Sequence, residues 1–297
     1  MHRRNLLIGI GGLTLAACAT TPTRAPFISD RIGVTAQGSG PDVILIPGLT
    51  SHPEIWDDTA AHLAGRYRVH RVWVSGFAGR PAEANASGEQ VGQPVAAEIA
   101  RYIAEQGLAR PAVIGHSMGG WIGMVLAARH PDLVGRLMVV DMLPFMGAMF
   151  GPPGVTPDQL RPIADQIRDG IRNTPLDGRE AQAAQTIAGM VRTESLRAGP
   201  IRHTLESDYD VAGRAFHELV VTDLRPELSN ITAPVTVLYV TPTGAPLTDA
   251  QLDAFYQLSY ANVPGARLVR VPDAAHFIMF DNPTRFFAEV DAFLSAE

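Results

Sequence analysis

The sequence predicts a single α/β domain in which a mainly parallel sheet is covered by helices on both faces and carries a helical insertion. Three observations support this fold class. Val/Ile/Leu-rich runs of strand length alternate with longer amphipathic segments, a pattern typical of buried parallel strands joined by helices. The 297 residues are 46% hydrophobic, which is enough for one large core. The stretch 142–230 breaks the alternation and contains no convincing strand.

The composition excludes several classes of function. The formal net charge is −6, all 24 basic residues are arginines and no basic stripe occurs, so nucleic acid is not an expected partner. A single cysteine rules out a disulfide framework and a cysteine-based zinc site. The chain also has neither a His-Glu-x-x-His motif nor a carboxylate cluster at ligand spacing. We therefore expect no metal and no cofactor.

The N-terminus has the pattern of an export signal. Arg3 and Arg4 precede an apolar run over residues 6–17 that is too short to span a bilayer, which predicts a signal peptide over residues 1–17. The boundary Leu15-Ala16-Ala17-Cys18 resembles a bacterial lipobox, in which the cysteine is lipidated and becomes the new N-terminus. We expect a membrane anchor through a lipid on Cys18, on the periplasmic side of the cell envelope. Residues 18–29 would then form a short tether. A plain signal peptide or an uncleaved anchor is the alternative.

The core elements are predicted in order over residues 30–141 and 231–297. The strand runs are short and continuously apolar, whereas the helix 94–107 places Val95, Ile99 and Ile103 four residues apart on one face. The predicted strands are 42–48, 67–74, 111–115, 136–140, 234–241 and 266–271. The other predicted helices of the core are 55–65, 119–129, 248–260 and 283–295.

Residues 142–230 are predicted to form a helical cap over one end of the sheet. The segment opens with an apolar, Pro/Gly-rich stretch, and helices are expected over residues 157–172, 180–192 and 210–220. Phe145, Met146 and Met149 in the opening stretch are candidates to line an apolar pocket, because Met and Phe adapt to irregular substrates. Packing of the helices against the sheet is the competing interpretation of the same residues.

One motif carries a candidate nucleophile. Gly115-His116-Ser117-Met118-Gly119 fits the pattern Gly-x-Ser-x-Gly. It directly follows a predicted strand and directly precedes a predicted helix, as a nucleophile turn requires. The two glycines relieve the crowding of a tight turn and leave the Ser117 hydroxyl exposed, so the context favours a catalytic serine over a structural turn.

With this motif in place, residues 40–297 resemble the α/β-hydrolase superfamily. Ile46-Pro47-Gly48-Leu49 looks like the oxyanion loop of that family, which commonly has His where this chain has Pro47. The resemblance implies that the backbone N–H groups of Leu49 and Met118 stabilise the tetrahedral oxyanion. It also implies a late histidine as the base, and His276 lies between a predicted strand and the last helix. His116 is the obvious rival, and His52 near the oxyanion loop either touches substrate or is a surface residue.

The triad acid is open at this stage. Many family members carry Asp after the strand that here spans residues 234–241, but the chain continues without a carboxylate until Asp249. Other members take the acid from the strand after the nucleophile helix, which here ends in Asp141. We choose Asp141, with Asp249 and Asp273 as alternatives. The acid would fix the tautomer of His276 and stabilise its protonated form.

These features predict a serine carboxylic-ester hydrolase that acts on a small-molecule ester at the cell envelope. The same triad could act on thioesters, lactones or peptides, or transfer an acyl group to peroxide, because the fold hosts all of these reactions. A non-catalytic envelope binding protein that retains the hydrolase shell is the alternative from another class.

Overall fold

The computed structural model describes residues 25–242, 244 and 247–296. The predicted signal peptide and Cys18 lie outside these residues, and so does most of the predicted tether. Within the described ranges, seven strands form one sheet in the order β1-β3-β2-β4-β5-β6-β7. The strands are β1 (Ile32–Gly38), β2 (Asp42–Ile46), β3 (Arg68–Val74), β4 (Ala112–His116), β5 (Arg136–Val140), β6 (Val235–Tyr239) and β7 (Arg267–Arg270).

The sheet is parallel except at one edge, where β1 pairs antiparallel with β3. Because a strand alternates its side chains between the two faces, successive residues of β2 enter different cores. Ile44 and Ile46 belong to one apolar cluster, and Val43 and Leu45 belong to another on the opposite face. Helices cover both faces, so the predicted α/β class with a mainly parallel, doubly covered sheet is confirmed.

The helices of the core follow the predicted order. A short 3-10 helix, Pro53–Trp56, leads into α1, and a second short helix precedes the C-terminal one. The middle helix α3 is buried along nearly its whole length, since it packs under the centre of the sheet. The core helices are α1 (Asp57–Leu63), α2 (Gly92–Glu105), α3 (Met118–Arg129), α8 (Asp249–Ser259), α9 (Ile278–Asp281) and α10 (Pro283–Ser295).

The segment 142–230, which is predicted to form the cap, contains four α-helices: α4 (Pro157–Arg172), α5 (Arg179–Met190), α6 (Ala198–Leu205) and α7 (Tyr209–Val221). Thr156 begins α4 with a capping box to Gln159, and Pro157 takes the first helical position, where no N–H is needed. One side of α7 joins the main core through Val211 and Leu219, while Val220 joins a small apolar cluster inside the cap. Helix α7 therefore attaches the cap to the sheet.

Strand β1 and the short helices α6 and α9 were not predicted; β1 and α6 lack a strong apolar pattern, and α9 has only four residues. Strand β1 lies at the sheet edge and buries only Ile32, so its sequence does not show the apolar run of a central strand. Helix α6 has eight residues and buries only Pro200 and His203, which gives no visible periodicity.

The described end of the predicted tether, residues 25–29, has no regular secondary structure but is docked. The ring of Phe27 packs edge-on against Tyr102, with 5.0 Å between ring centroids, and the Arg101 guanidinium lies over the Phe27 ring. Within the described ranges, none of the helices combines the length and the apolar composition needed to cross a membrane.

Candidate active site

The turn between β4 and α3 holds Ser117 in a strained conformation. Its φ is 52°, a region that non-glycine residues seldom occupy, at a cost of about 1–3 kcal/mol. The backbone N–H of Ser117 donates to Val140 on the adjacent strand at 2.8 Å. A Cβ atom on Gly115 would lie 2.2 Å from the Gly119 carbonyl oxygen, and one on Gly119 would lie 2.2 Å from the Ile46 oxygen. Both glycines of the motif are thus required by close backbone approach, and the serine side chain is left half-buried at the turn.

The structure brings Asp141 to His276. Asp141 directly follows β5, the neighbour of β4, so it emerges at the same edge of the parallel sheet as Ser117. The His276 Nδ1 lies 2.6 Å from Asp141 Oδ2. With the Nδ1 proton directed at the carboxylate, Nε2 keeps its lone pair for accepting a proton. In the described part of the chain, Ser117 Oγ forms no hydrogen bond with the ring, a contact that often tightens only when substrate binds.

The alternative acids are engaged elsewhere. Asp249 begins α8, where its carboxylate accepts from Arg270 at 2.6 Å and from the Thr241 hydroxyl at 2.7 Å. Asp273 is exposed on the loop before His276. Of the three carboxylates weighed from the sequence, the structure places Asp141 on the ring.

Two buried tyrosines of the α8 region, Tyr256 and Tyr260, contact Asp141 and the next residue, Met142. The Tyr256 hydroxyl donates to Asp141 Oδ1 at 3.4 Å, and the Val240 N–H donates to the same oxygen at 3.2 Å. The Tyr260 hydroxyl donates to the Met142 carbonyl at 2.6 Å. Burial raises the pKa of both hydroxyls well above its usual value, and the Asp141 charge acts in the same direction. Both therefore remain protonated donors. The sequence contains no short motif that would identify these tyrosines, because they lie more than 100 residues from Asp141 along the chain.

The loop after β2 lies against the nucleophile turn. A Cβ atom on Gly48 would lie 3.1 Å from Ser117 Cβ, which shows how closely the backbone of the loop approaches the serine. Leu49 is the next residue, and Met118 opens α3, where the first N–H groups have no acceptor within the helix. Among the described residues, neither the Leu49 nor the Met118 N–H donates to a backbone oxygen. The two predicted oxyanion donors thus come from segments that converge on Ser117.

His116 supports the histidine loop. Its Nε2 donates to the backbone oxygen of His276 at 3.0 Å, and its ring lies 4.6 Å from the His276 ring and 4.5 Å from the Phe277 ring. Burial holds the pKa of His116 well below its usual value, and the neighbouring His276 also lowers it. The residue is therefore a neutral structural contact, with its Nδ1 beside Gly48.

The three residues predicted to line a substrate pocket occupy different environments. Phe145 is 1% exposed and packs with Leu160 and Val220 inside the segment 142–230. Met149 is 62% exposed at the surface. Met146 is partly buried and contacts both the main core and the cap cluster, so it lies at the seam between them.

A separate cluster, between α6 and the segment after β2, offers metal-ligating atoms. His52, Glu54 and His203 place one ligand atom each within 4.8 Å of one another. The Arg202 guanidinium already neutralises the Glu54 carboxylate, and the His52 Nδ1 accepts from the Glu54 N–H at 3.0 Å. Burial lowers the pKa of His203 even though Glu54 accepts from its Nε2 at 2.7 Å. The cluster is therefore an ion-pair network that joins α6 to the segment after the oxyanion loop. His52 itself is half-buried against Trp73 rather than on the open surface.

Comparison with known proteins relates this chain to hydrolases. The profile of the family described as "Alpha/beta hydrolase family" matches residues 43–290. A pimeloyl-[acyl-carrier protein] methyl ester esterase from Nitrosomonas europaea is 26% identical over 275 residues, which cover 88% of this chain and 98% of the relative. The enzyme of the same name from Vibrio cholerae is 28% identical over 203 residues, covering 68% and 76%.

Solved structures show the same fold at lower identity. An esterase from Exiguobacterium antarcticum superposes with a TM-score of 0.74 at 19% identity, covering 89% of this chain and 96% of that one. The enol-lactonase from Burkholderia xenovorans gives a TM-score of 0.71 at 22% identity with the same coverage. At these sequence identities the similarity shows that the fold is shared.

Proposed function

Because the chain belongs to the α/β hydrolase family, we propose that it is a serine hydrolase that cleaves carboxylic esters through an acyl-enzyme intermediate. The observation that carries this proposal is the 2.6 Å contact between His276 Nδ1 and Asp141, formed at the sheet edge where Ser117 is held on its strained turn. The proposed nucleophile, base and acid come from three separate segments, and the contact between His276 and Asp141 supports the triad that acyl transfer uses.

The proposed reaction uses only groups of the chain, the ester and water. Ser117 Oγ attacks the ester carbonyl carbon while its proton passes to His276 Nε2, and Asp141 stabilises the resulting imidazolium. The N–H groups of Leu49 and Met118 bind the oxyanion, and one such donor contributes about 3–4 kcal/mol to lowering the barrier. The intermediate collapses, the alcohol leaves with the proton from His276, and the acyl group remains on Ser117. Water then attacks the acyl-enzyme with His276 as base, which releases the acid.

The class of substrate is proposed from the relatives. The two similar proteins reported above are named as methyl ester esterases, which favours an ester of a small alcohol here. The acyl group would enter beneath the cap, where Met146 lies at the seam between cap and core.

The first test is hydrolysis of p-nitrophenyl esters, from acetate to dodecanoate, by the full-length protein. We expect turnover in the wild type and its loss in Ser117→Ala. Asp141→Asn should lower kcat by about 10⁴-fold, because the amide fixes the wrong tautomer of the histidine. Asp249→Asn is the matched control, since it changes a carboxylate that contacts Arg270 instead.

The outcomes separate the alternatives. Wild-type kcat in Asp141→Asn, with loss in Asp249→Asn, would move the acid to Asp249. If the wild type is labelled at Ser117 by a fluorophosphonate but turns over no ester, the same triad acts on thioesters, lactones or peptides, or with peroxide as acceptor. Neither turnover nor labelling in a folded protein would favour the non-catalytic binding protein.

We also propose that the enzyme is exported and anchored to the cell envelope through a lipid on Cys18. The support is the basic and apolar leader that ends at the only cysteine of the chain. Growth with an alkyne-tagged palmitate should label the wild type and leave Cys18→Ser unlabelled. A labelled Cys18→Ser protein, or an unlabelled wild type in the membrane fraction, would contradict the lipid anchor.

A further inference from the structure

Asp281, at the end of α9, binds two parts of the molecule that are far apart in sequence. Its carboxylate accepts from the backbone N–H of Ala275 at 2.9 Å, directly before His276. The same carboxylate accepts from the N–H groups of Arg192 at 3.1 Å and Thr193 at 2.9 Å. These two residues follow α5 and belong to the cap. One side chain thus holds the histidine loop and the end of a cap helix together.

Neighbouring contacts close the same junction. The N–H of Phe277, directly after His276, donates to the Met190 carbonyl at the end of α5 at 3.1 Å. The Asn282 side chain donates to the Pro272 carbonyl at the start of the histidine loop at 3.1 Å. The loop that carries His276 is therefore fixed on one side by the α9 region and on the other by the cap.

The chemistry of the junction explains why a carboxylate is needed there. Three backbone N–H groups converge on two oxygens, and an ionised acceptor strengthens such bonds roughly twofold over neutral ones. Without the carboxylate, the three backbone N–H groups would lose their acceptor, and each would have to bind water or move to another acceptor. Movement of the Ala275 peptide is passed directly to His276, since the two residues share a peptide bond.

We propose that Asp281 is a positioning residue that couples the cap to the histidine base. This inference rests on the proposed function, in which His276 is the base. The Asp281 carboxylate binds both Ala275 and residues 192–193, so a displacement of this end of the cap would also displace Ala275. The junction therefore holds this end of the cap in a fixed position relative to the His276 ring. A cap seated on its substrate thereby keeps His276 on Asp141.

The variant Asp281→Ala tests the proposal against a matched control. Asp208→Ala removes another cap-region carboxylate that accepts from two backbone N–H groups, those of Asp210 and Val211, but does not contact the histidine loop. Both variants should lower the melting temperature by a similar amount, because each removes a carboxylate that accepts from backbone N–H groups. We expect kcat to fall up to about 10²-fold in Asp281→Ala, as for a small misplacement of a reacting group, with KM little changed. Asp208→Ala should keep wild-type kcat, and Asp281→Asn should recover part of the loss.

A spectroscopic signature separates positioning from simple destabilisation. The proton between His276 Nδ1 and Asp141, across a distance of 2.6 Å, should give a far-downfield proton resonance, which its loss in Asp141→Asn would identify. That resonance should weaken or disappear in Asp281→Ala and persist in Asp208→Ala. Because the signal reports geometry and not turnover, it remains informative if the enzyme proves to act on no ester.

A third variant tests the cap side of the junction alone. Thr193→Pro deletes one of the three donors, and the φ of Thr193, −72°, is one that proline adopts. We expect a smaller fall in kcat than in Asp281→Ala. Unchanged kcat and resonance in Asp281→Ala would overturn the proposal. Loss in Asp281→Ala with wild-type behaviour in Thr193→Pro would restrict the role of Asp281 to the loop and overturn the coupling to the cap.

Discussion

At the scale of single residues, the Asp141 carboxylate divides its two oxygens between different partners. Oδ2 faces the His276 ring, while Oδ1 accepts from the Val240 N–H and the Tyr256 hydroxyl. A carboxylate held on both oxygens cannot rotate away from the ring. The buried tyrosine thus acts on the histidine through the acid.

We predict that Tyr256→Phe lowers kcat by about 2- to 10-fold, the range that one net hydrogen bond of 0.5–1.5 kcal/mol implies. The 3.4 Å distance favours the lower part of that range. KM for the p-nitrophenyl ester should change little, because the hydroxyl contacts Asp141 and not the substrate. Tyr239→Phe is the control, since that ring stacks on Tyr256 but donates to Asp253. Equal losses in both variants would assign the effect to packing.

The contrast between Asp141 and Tyr256 shows what the sequence reveals of this site. Asp141 could be predicted because the resemblance to the α/β-hydrolase superfamily allows an acid at the end of the strand after the nucleophile helix, and β5 ends directly before Asp141. The order of strands then implies proximity. Tyr256 reaches the acid across 115 residues from a helix face, and its pattern is that of any buried aromatic residue. The contact of Tyr256 with Asp141 is therefore visible only in the three-dimensional structure.

At the scale of elements, a buried carboxylate joins the cap to the core. Glu218 on α7 is 3% exposed, and its oxygens accept from the N–H groups of Val91, Gly92 and Gln93 at the start of α2. The distances are 2.7, 2.7 and 3.0 Å, in the order of those donors. Since the first N–H groups of a helix have no partner within it, a cap residue completes a core helix.

We predict that Glu218→Gln destabilises the protein by about 1–3 kcal/mol, because the amide offers one acceptor where the carboxylate offers two. The melting temperature should fall, and kcat measured on the folded protein should stay near the wild-type value. Glu227→Gln is the matched control. It changes a half-exposed carboxylate paired with Arg129, worth about 0–1 kcal/mol. A melting temperature in Glu218→Gln as high as in Glu227→Gln would contradict the role assigned to Glu218.

The elements also show which parts of the fold the sequence predicts. Helices α4 and α10 have the predicted bounds, because a proline at the first position marks each start. The edge strand β1 and the short α6 are missing from the prediction for the opposite reason. Few of their residues are buried, so the sequence shows no periodic pattern of apolar residues in either element.

At the scale of the whole molecule, burial disfavours the protonated form of several histidines. Burial lowers the pKa of His70, His116 and His203, and for His70 and His203 it outweighs a nearby carboxylate. In the unfolded chain these residues take up protons as the pH falls through about 6.5. The folded protein takes up fewer, so the unfolded state binds more protons in this range.

We therefore predict that the free energy of unfolding falls as the pH is lowered from 7.5 towards 5. Each histidine that is protonated only in the unfolded state contributes up to about 1.4 kcal/mol per pH unit. Below about 4.5 the carboxylates of Glu227 and Asp169 add to the loss. Hydrogen bonds from Arg129 and Arg168 lower their pKa values, so their contribution to stability disappears as the pH falls through the folded values.

Urea unfolding followed by tryptophan fluorescence between pH 8 and 5 measures this dependence. His70→Gln should reduce the slope of stability against pH, because β3 then lacks a group whose pKa burial lowers in the folded protein. The residue lies away from Ser117, so the slope can change without loss of esterase activity. His130→Gln changes an exposed side chain after α3 and should keep the wild-type slope. If His70→Gln and His130→Gln give the same slope as the wild type, the neutral buried histidine does not control the acid sensitivity.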